Sequence, residues 1–231
     1  MFGECSTEEI CAAKDAGDDI NYKVDESYEY YMNNWYLDMD LMCKPVTAVA
    51  QIFSWAMIGI LIGILFAPLS ERIGRKKAVI LGMIFSIVAQ LLILFFSSIA
   101  VRTVGFFLIG LTCYKNSIAY VWGSECVPLA GRSKVFSVIN VVDCTPPLIF
   151  GLYCLFISRD WYPIYLATVI VNVIGLLLVL ILPESPRWLI YGNKREEAIK
   201  QINYMAWFNG NDKETYIPED ATFEETAKVA E

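Results

Sequence analysis

The sequence predicts an all-α membrane protein with five transmembrane helices. Hydrophobic residues make up 56% of its 231 positions, and the mean hydropathy of +0.47 is too high for an ordinary water-soluble surface. A helix needs ~20 apolar residues to cross a hydrocarbon core of ~30 Å. Five stretches meet this requirement, and their short connectors make neighbouring spans antiparallel: Val46–Leu69, Ala78–Phe96, Thr103–Trp122, Val135–Ile157 and Pro163–Leu182.

Four regions follow from the placement of these spans. An acidic segment, residues 1–45, precedes the five-helix bundle of residues 46–182. Residues 183–208 are expected to form a loop and an amphipathic helix, and the acidic residues 209–231 are predicted to be disordered. The apolar face expected for that helix consists of Ile199, Ile202, Met205 and Ala206.

Basic residues concentrate in the connectors on one side of the predicted bundle. The connector after the first span alone carries Arg72, Arg75, Lys76 and Lys77. The connectors on the opposite side contain only Arg102 and Arg159. Because cytoplasmic loops are enriched in lysine and arginine, this asymmetry predicts an N-terminus outside and a C-terminus inside. This asymmetry does not decide whether the protein resides in the plasma membrane or in the mitochondrial inner membrane.

The N-terminal segment is strongly acidic, since residues 1–44 contain eleven acidic residues and three lysines, a net charge of −8. Such a segment repels nucleic acid, so no nucleic-acid partner is expected. Its three cysteines, Cys5, Cys11 and Cys43, allow at most one disulfide. The spacing decides neither whether a bridge forms nor which two cysteines pair.

The chain contains no histidine, which removes the commonest acid/base group and metal ligand at neutral pH. No nucleophile and base, phosphate loop or metal cluster occurs at a suitable spacing. We therefore expect no enzyme activity, no cofactor and no metal, and a lipid bilayer as the surrounding partner.

Three motifs carry a family resemblance. The loop after the first span reads Ser70-Glu71-Arg72-Ile73-Gly74-Arg75-Lys76-Lys77, in which a carboxylate lies beside several cations and Gly74 permits a tight reversal. The third span ends in a Tyr120–Pro128 motif with Arg132 beyond it, and Pro183–Leu189, Pro-Glu-Ser-Pro-Arg-Trp-Leu, follows the last span. Together they resemble the major facilitator superfamily, in particular its sugar porters and organic cation transporters.

This resemblance covers residues 35 to about 208 and implies that the five spans correspond to family helices two to six, an incomplete N-terminal bundle. Ala67 stands where the family usually has glycine, but Gly59, Gly63 and Ala67 form a small-residue stripe suited to close helix packing. The resemblance also implies an inner-face charge network of Glu71, Arg72, Arg75, Glu125, Arg132, Glu184 and Arg187.

Two charged residues fall inside predicted spans. Lys115 lies seven residues before the inner end of its span, and Asp143 lies eight residues after the inner start of the next. At ~1.5 Å per residue they reach a matching depth, so we predict an intramembrane ion pair. The alternative, a substrate or proton site, stays open because polar residues inside a membrane are by default functional.

Two further features of the last spans give local predictions. Pro146 and Pro147 remove two backbone donors, which predicts a bend or break in the fourth span. Trp161 and Tyr162 open the fifth span, where amphipathic rings anchor at the lipid interface.

The resemblance leads to two functional hypotheses. In the family, the substrate cavity is lined mainly by helices one, four, seven and ten, of which only the fourth, Thr103–Trp122, is found here. The leading hypothesis is therefore a transporter-derived accessory or scaffold subunit whose partners are other membrane protein subunits. The alternative is transport of organic ions or sugar-like solutes, as part of a longer or assembled transporter that binds a small solute.

Overall fold

The computed structural model describes residues 6–17, 24–25, 27–28, 31–127 and 131–210. Within these ranges the chain is helical and contains no strand, and Asn33 and Asp160 form an isolated parallel bridge. The described helices are α1 (Thr7–Asp15), α2 (Trp35–Asp38), α3 (Val46–Ile64), α4 (Leu69–Ile73), α5 (Arg75–Phe95), α6 (Ile99–Leu111), α7 (Tyr114–Glu125), α8 (Arg132–Phe156), α9 (Trp161–Ile181), α10 (Pro186–Tyr191) and α11 (Arg195–Phe208).

Among the described residues, five spans are long and apolar enough to cross a membrane, which confirms the predicted fold class. They are α3, α5, the continuous stretch of α6 and α7, α8, and α9. The first span ends at Ile64, five residues earlier than predicted, because a turn over residues 65–68 leads into α4. The third span begins at Ile99, which places Arg102 inside a helix and not in a connector.

Glycine allows α3 and α6 to approach each other backbone to backbone. A Cβ atom at Gly59 would lie 2.2 Å from the carbonyl oxygen of Phe107. A Cβ atom at Gly110 would lie 2.1 Å from the carbonyl oxygen of Ala56, and one at Gly63 would lie 2.5 Å from a carbonyl oxygen of α6. The glycines of the predicted stripe therefore face α6, as small residues do in closely packed membrane helices.

The α5 helix is the centre of the bundle. Its Ala78 and Val79 form a buried cluster with Ile118 and Trp122 of α7, and α5 also packs against α6 and α9. Towards α9, Asn172 Nδ2 donates to Gln90 Oε1 at 2.9 Å. Most remaining faces of the spans expose large apolar side chains, as expected of surfaces that contact lipid or other membrane helices.

The α8 helix runs unbroken from Arg132 to Phe156 through Pro146 and Pro147. The predicted break is therefore wrong, because the fixed φ of proline, about −65°, is itself helical and only two backbone hydrogen bonds are lost. A bend at this point stays a prediction. None of the α8 residues, all of which the structure describes, is buried within the chain.

The predicted amphipathic helix is present as α11, which packs against α10. Its buried residues are Ala198 and Ile202, while Ile199, Met205 and Ala206 are half-buried. The predicted disordered tail lies outside the described residues from position 211 onward, as do Cys5 and Pro128.

Replacing Gly110 by alanine is expected to destabilise the chain by about 2 kcal/mol, because the new methyl group would overlap a backbone carbonyl of α3 and force the helices apart. Unfolding of the purified protein by sodium dodecyl sulfate in mixed micelles measures this change. Gly151→Ala is the matched control, since a Cβ atom there meets nothing within 4 Å. Equal effects of the two substitutions would contradict the close approach.

Candidate functional site

The N-terminus of α5 is capped by a carboxylate from the segment that follows α9. Glu184 Oε1 accepts hydrogen bonds from the backbone N–H groups of Lys76 at 2.9 Å and Ser185 at 3.0 Å. Gly74, the residue before α5, has φ of 106°, and a Cβ atom there would lie 2.6 Å from Glu184 Oε2. Both the backbone conformation and the space beside the carboxylate therefore require glycine.

The C-terminus of α9 is capped in return by a lysine of α5. Lys76 Nζ donates to the carbonyl oxygens of Leu180 at 2.8 Å and Leu182 at 2.7 Å. These oxygens belong to the last turn of α9, where carbonyl groups have no intrahelical donor. The α5 and α9 helices thus satisfy each other's ends, and we call this arrangement, formed by Lys76 and Glu184, the cap exchange.

A buried carboxylate joins α7 to the same end of the bundle. Glu125 Oε2 accepts a hydrogen bond from Ser185 Oγ at 2.6 Å and lies 3.5 Å from Arg75 Nε. The Glu125 side chain is only 7% exposed and that of Arg75 only 16% exposed. Arg75 Nη1 also donates to Ser70 Oγ at 2.7 Å, which ties α4 to this group.

The indole of Trp188 completes the contacts at this end. Trp188 Nε1 donates to the backbone carbonyl of Glu71 at 2.6 Å, and Glu71 belongs to α4, in the connector after the first span. Its backbone N–H donates to Ser185 Oγ at 3.1 Å, which caps α10. Lys194 Nζ lies 5.8 Å from the Trp188 ring centroid, within the range of a cation–π contact. We refer to the end that carries Arg75, Lys76 and Glu184 as the basic end.

The structure brings together three of the seven residues predicted as a charge network, namely Arg75, Glu125 and Glu184. Arg187 lies at the same end, with its guanidinium 5.6 Å from the ring centroid of Tyr191. Among the described contacts of these side chains, those of Glu184 cap a helix, whereas Arg75 and Glu125 contact each other and serine hydroxyls.

The other three predicted residues take different positions. Glu71 accepts the Trp188 hydrogen bond through its backbone carbonyl oxygen, and its side chain is exposed. Arg72 is also exposed. Arg132 Nε is buried with no hydrogen-bond partner in the described part of the chain. A shared role for all seven residues stays a prediction.

Lys76, Ser70, Ser185 and Trp188 were not predicted as site residues. Lys76 was counted only for its charge, whereas its backbone N–H and its ammonium group make three bonds to the end of α9. Ser185 could have been identified from sequence, because a serine before proline at a helix start is typical of an N-cap.

The predicted ion pair between Lys115 and Asp143 is not formed, although the structure describes both residues. Asp143 Oδ2 instead accepts a hydrogen bond from Tyr120 Oη at 2.7 Å. The stem of Lys115 packs against Gly82 of α5, where a Cβ atom would lie 2.8 Å from Lys115 Cβ. Residues 115 and 120 point about 140° apart around α7, so Lys115 faces α5 while Tyr120 reaches α8.

A buried arginine organises the opposite end of the bundle. Arg102 is 1% exposed, and its Nη2 lies 2.5 Å from Asp38 Oδ2. Its Nε donates to the carbonyl oxygen of Phe96 at 2.6 Å. The guanidinium carbon lies 5.4 Å from the ring centroid of Trp161, which is buried. Trp161 is therefore not the lipid anchor that was predicted, because it is covered by Arg102, and anchoring by Tyr162 stays a prediction.

The acidic N-terminal segment is fastened to this end at several points. Asp38 of this segment pairs with Arg102 of α6. Within the segment, Cys11 and Cys43 form a disulfide with a Cα–Cα distance of 5.2 Å, and Lys14 pairs with Asp40. The Asn33 backbone accepts a hydrogen bond from the N–H of Trp161 at 3.1 Å. The segment thus packs on the helices through both its backbone and its charged side chains.

Comparison with known proteins gives a consistent result. A family profile described as "Sugar (and other) transporter" matches residues 15–227. The organic cation/carnitine transporter 2 of Rattus norvegicus is 31% identical over 193 residues, which are 80% of this chain and 34% of that protein. The organic cation transporter protein of Drosophila melanogaster is 26% identical over 194 residues, again 80% of this chain and 34% of that protein.

A solved proton:xylose symporter of the major facilitator superfamily has a similar fold, with a TM-score of 0.53 and 18% sequence identity. The alignment covers 73% of this chain and 42% of the symporter. This likeness concerns the fold alone. The chain spans about one third of the length of the two organic cation transporters.

Replacing Glu184 by alanine is expected to lower the free energy of unfolding by about 1–2 kcal/mol, because the N-terminus of α5 loses its cap and three cations remain at the positive end of its dipole. Detergent-solubilised protein, unfolded by sodium dodecyl sulfate, measures this loss. Glu196→Ala, an exposed carboxylate in the first turn of α11, should change stability by less than about 0.5 kcal/mol. An equal cost for both variants would disprove the cap.

Proposed function

Since the chain belongs to the sugar (and other) transporter family, we propose that it supplies five helices of the N-terminal bundle of an organic-ion transporter. The relatives named above are organic cation transporters by name, which supports this solute class. None of those relatives is described as an accessory subunit, so the transport hypothesis replaces the accessory hypothesis as the leading one.

The cap exchange is the observation that carries this proposal. It joins the ends of α5 and α9 through bonds of 2.7–2.9 Å, and Glu125 joins α7 to the same point. In transporters with two packed halves, alternating access is largely a rocking of one helix bundle against the other. A half that moves as one body needs its helices fastened at their ends, which is the role we assign to these residues.

The orientation that we propose places the basic end in the cytoplasm and the acidic segment outside. The disulfide between Cys11 and Cys43 supports this orientation, because disulfides persist in oxidising compartments and are rare in the cytosol. The excess of lysine and arginine at the basic end supports it independently.

Labelling of intact cells tests the orientation. In a Cys5→Ser background, a membrane-impermeant reductant should expose Cys11 and Cys43 to an impermeant polyethylene-glycol maleimide, and the gel shift should correspond to two labels. The Cys11→Ser/Cys43→Ser double variant should show no such shift. Labelling of the two cysteines only after permeabilisation would reverse the proposed orientation.

We further assign a solute contact to the polar side chains inside the α7 and α8 spans. Asp143 lies in the middle of α8 and is exposed. Its carboxylate accepts a hydrogen bond from Tyr120. A carboxylate at that depth faces either other protein or a water-filled cavity, because contact with lipid is costly. Among the described residues of the α6–α7 span and of α8, Lys115 is the other charged side chain away from the span ends. Because it faces α5 and not Asp143, we assign to it a second solute contact, on the α5 side of α7.

Uptake of tetraethylammonium by proteoliposomes that contain the natural gene product tests the transport proposal. Saturable uptake is expected, and Asp143→Asn should lower its rate by about tenfold, the effect of losing one charge-assisted contact. Lys115→Ala should also reduce uptake. Glu196→Gln, a carboxylate change outside the membrane spans, is the control and should leave uptake unchanged.

The accessory hypothesis makes the opposite forecast for the same preparation. Absence of uptake, together with migration of the gently solubilised protein within a large complex on native electrophoresis, would replace the transport proposal. Mass spectrometry of the migrating band identifies the partners and the full length of the polypeptide. If uptake is unchanged in both the Asp143→Asn and the Lys115→Ala variants, the solute contact assigned to these residues is disproved, while the transport proposal stands.

A further inference from the structure

The last turn of α11 carries exposed aromatic side chains beside the end of a membrane span. Tyr204 Oη lies 3.4 Å from the carbonyl oxygen of Ile181, the last residue of α9. The rings of Tyr204 and Trp207 lie 6.0 Å apart between centroids. Trp207 and Phe208 are 63% and 76% exposed. Such rings, placed outside a span and uncovered by the described chain, need a partner surface.

The depth of this aromatic group follows from the length of α9. A helix of 21 residues is about 30 Å long, which equals the thickness of the hydrocarbon core. Ile181 therefore lies near the boundary between hydrocarbon and headgroups. Because Tyr204 touches Ile181 and its ring lies beside that of Trp207, the end of α11 lies at the same level.

The surface around this point is continuous with the lipid-facing surface of α9. Leu180, Ile181 and Leu182 all expose large apolar side chains at the end of the span. Tyr204 touches this end of α9, and the exposed rings of Trp207 and Phe208 follow it in the last turn of α11.

The charges of α11 are concentrated at its other end and are balanced. Arg195 and Lys200 offset Glu196 and Glu197, so the helix has no net charge that would draw it to anionic lipids. Its attraction to a membrane must therefore come from the aromatic end. Tryptophan and tyrosine favour the headgroup level because their rings combine an apolar body with a polar N–H or O–H group.

We propose that Tyr204, Trp207 and Phe208 form an interfacial anchor that seats the C-terminal end of α11 in the phospholipid headgroup layer at the basic end of the bundle. The partner is the same membrane that the five spans cross, with zwitterionic headgroups sufficient for binding. The anchor fixes α11, and with it α10 and the Ser185 contact to Glu125, relative to the membrane plane. It does not depend on whether the protein transports a solute.

Spin labelling in liposomes of pure phosphatidylcholine tests the anchor. In full-length protein with the cysteines outside the disulfide replaced by serine, a nitroxide is attached through Phe208→Cys or, as the control, through Lys200→Cys. The label at position 208 should collide more with oxygen than with a water-soluble nickel complex, and the label at position 200 should show the reverse order. Preferential collision with nickel at position 208 would place this end in water and overturn the proposal.

Two further outcomes distinguish lipid from other surfaces. A label at position 208 that is shielded from both reagents would mean that protein covers this end, which contradicts the anchor. A change to the oxygen-favouring order only after addition of anionic phosphatidylglycerol would mean that charge attraction, and not the rings, seats the helix.

A second variant separates the role of the ring from the position of the helix. Adding Trp207→Ser to the protein labelled at position 208 should lower the ratio of oxygen to nickel collisions severalfold, because the neighbouring ring no longer holds this turn at the interface. The label at position 200 should keep its spectrum, which shows that α11 remains folded. An unchanged ratio at position 208 would overturn the anchoring role of Trp207.

Discussion

The basic end of the bundle depends on the exchange of caps between α5 and α9. The α5 helix starts with Arg75, Lys76 and Lys77, three cations placed at the positive end of its own dipole, which is electrostatically unfavourable. Glu184 offsets this by placing a carboxylate at the uncapped N–H groups. Lys76 in turn extends away from its own helix to the carbonyl oxygens at the end of α9, where a cation is favourable. These three hydrogen bonds thus join two helices whose facing ends would otherwise lack caps.

This exchange explains why the loop after α4 and the segment after α9 carry such specific residues. Gly74 must adopt a positive φ and must also leave room for Glu184, so it cannot be replaced without moving the carboxylate. Ser185 follows Glu184 directly and donates a hydrogen bond to Glu125 of α7. The same short segment therefore links a third helix, α7, to α5 and α9. Residues more than one hundred positions apart in sequence therefore form one structural unit.

The sequence predicted the number and type of the spans because hydropathy and length decide whether a helix can cross a membrane. It did not predict the directions of individual side chains, which depend on the packing of neighbouring helices. Trp161 has the residue type and the position of a lipid anchor, but Arg102 covers its ring. Lys115 lies at the predicted depth of Asp143, but it faces α5. The charged residues at the basic end were recognised, whereas their bonds to backbone groups were not, since capping partners distant in sequence leave no local pattern.

The two ends of the bundle satisfy their polar groups in different ways, and the stretch between them includes the helix that the chain itself covers least. The basic end is closed by caps between spans, and the opposite end by Arg102 and the acidic segment. Between them, α8 packs mainly against α7, has no buried residue over its described length, and exposes Asp143 in mid-span. Because a carboxylate at that depth cannot rest against lipid without a large cost, this face of α8 must meet protein or an aqueous path. Under the proposed function, this face of α8, which the chain's own described contacts cover least, is where further protein of a transporter would pack.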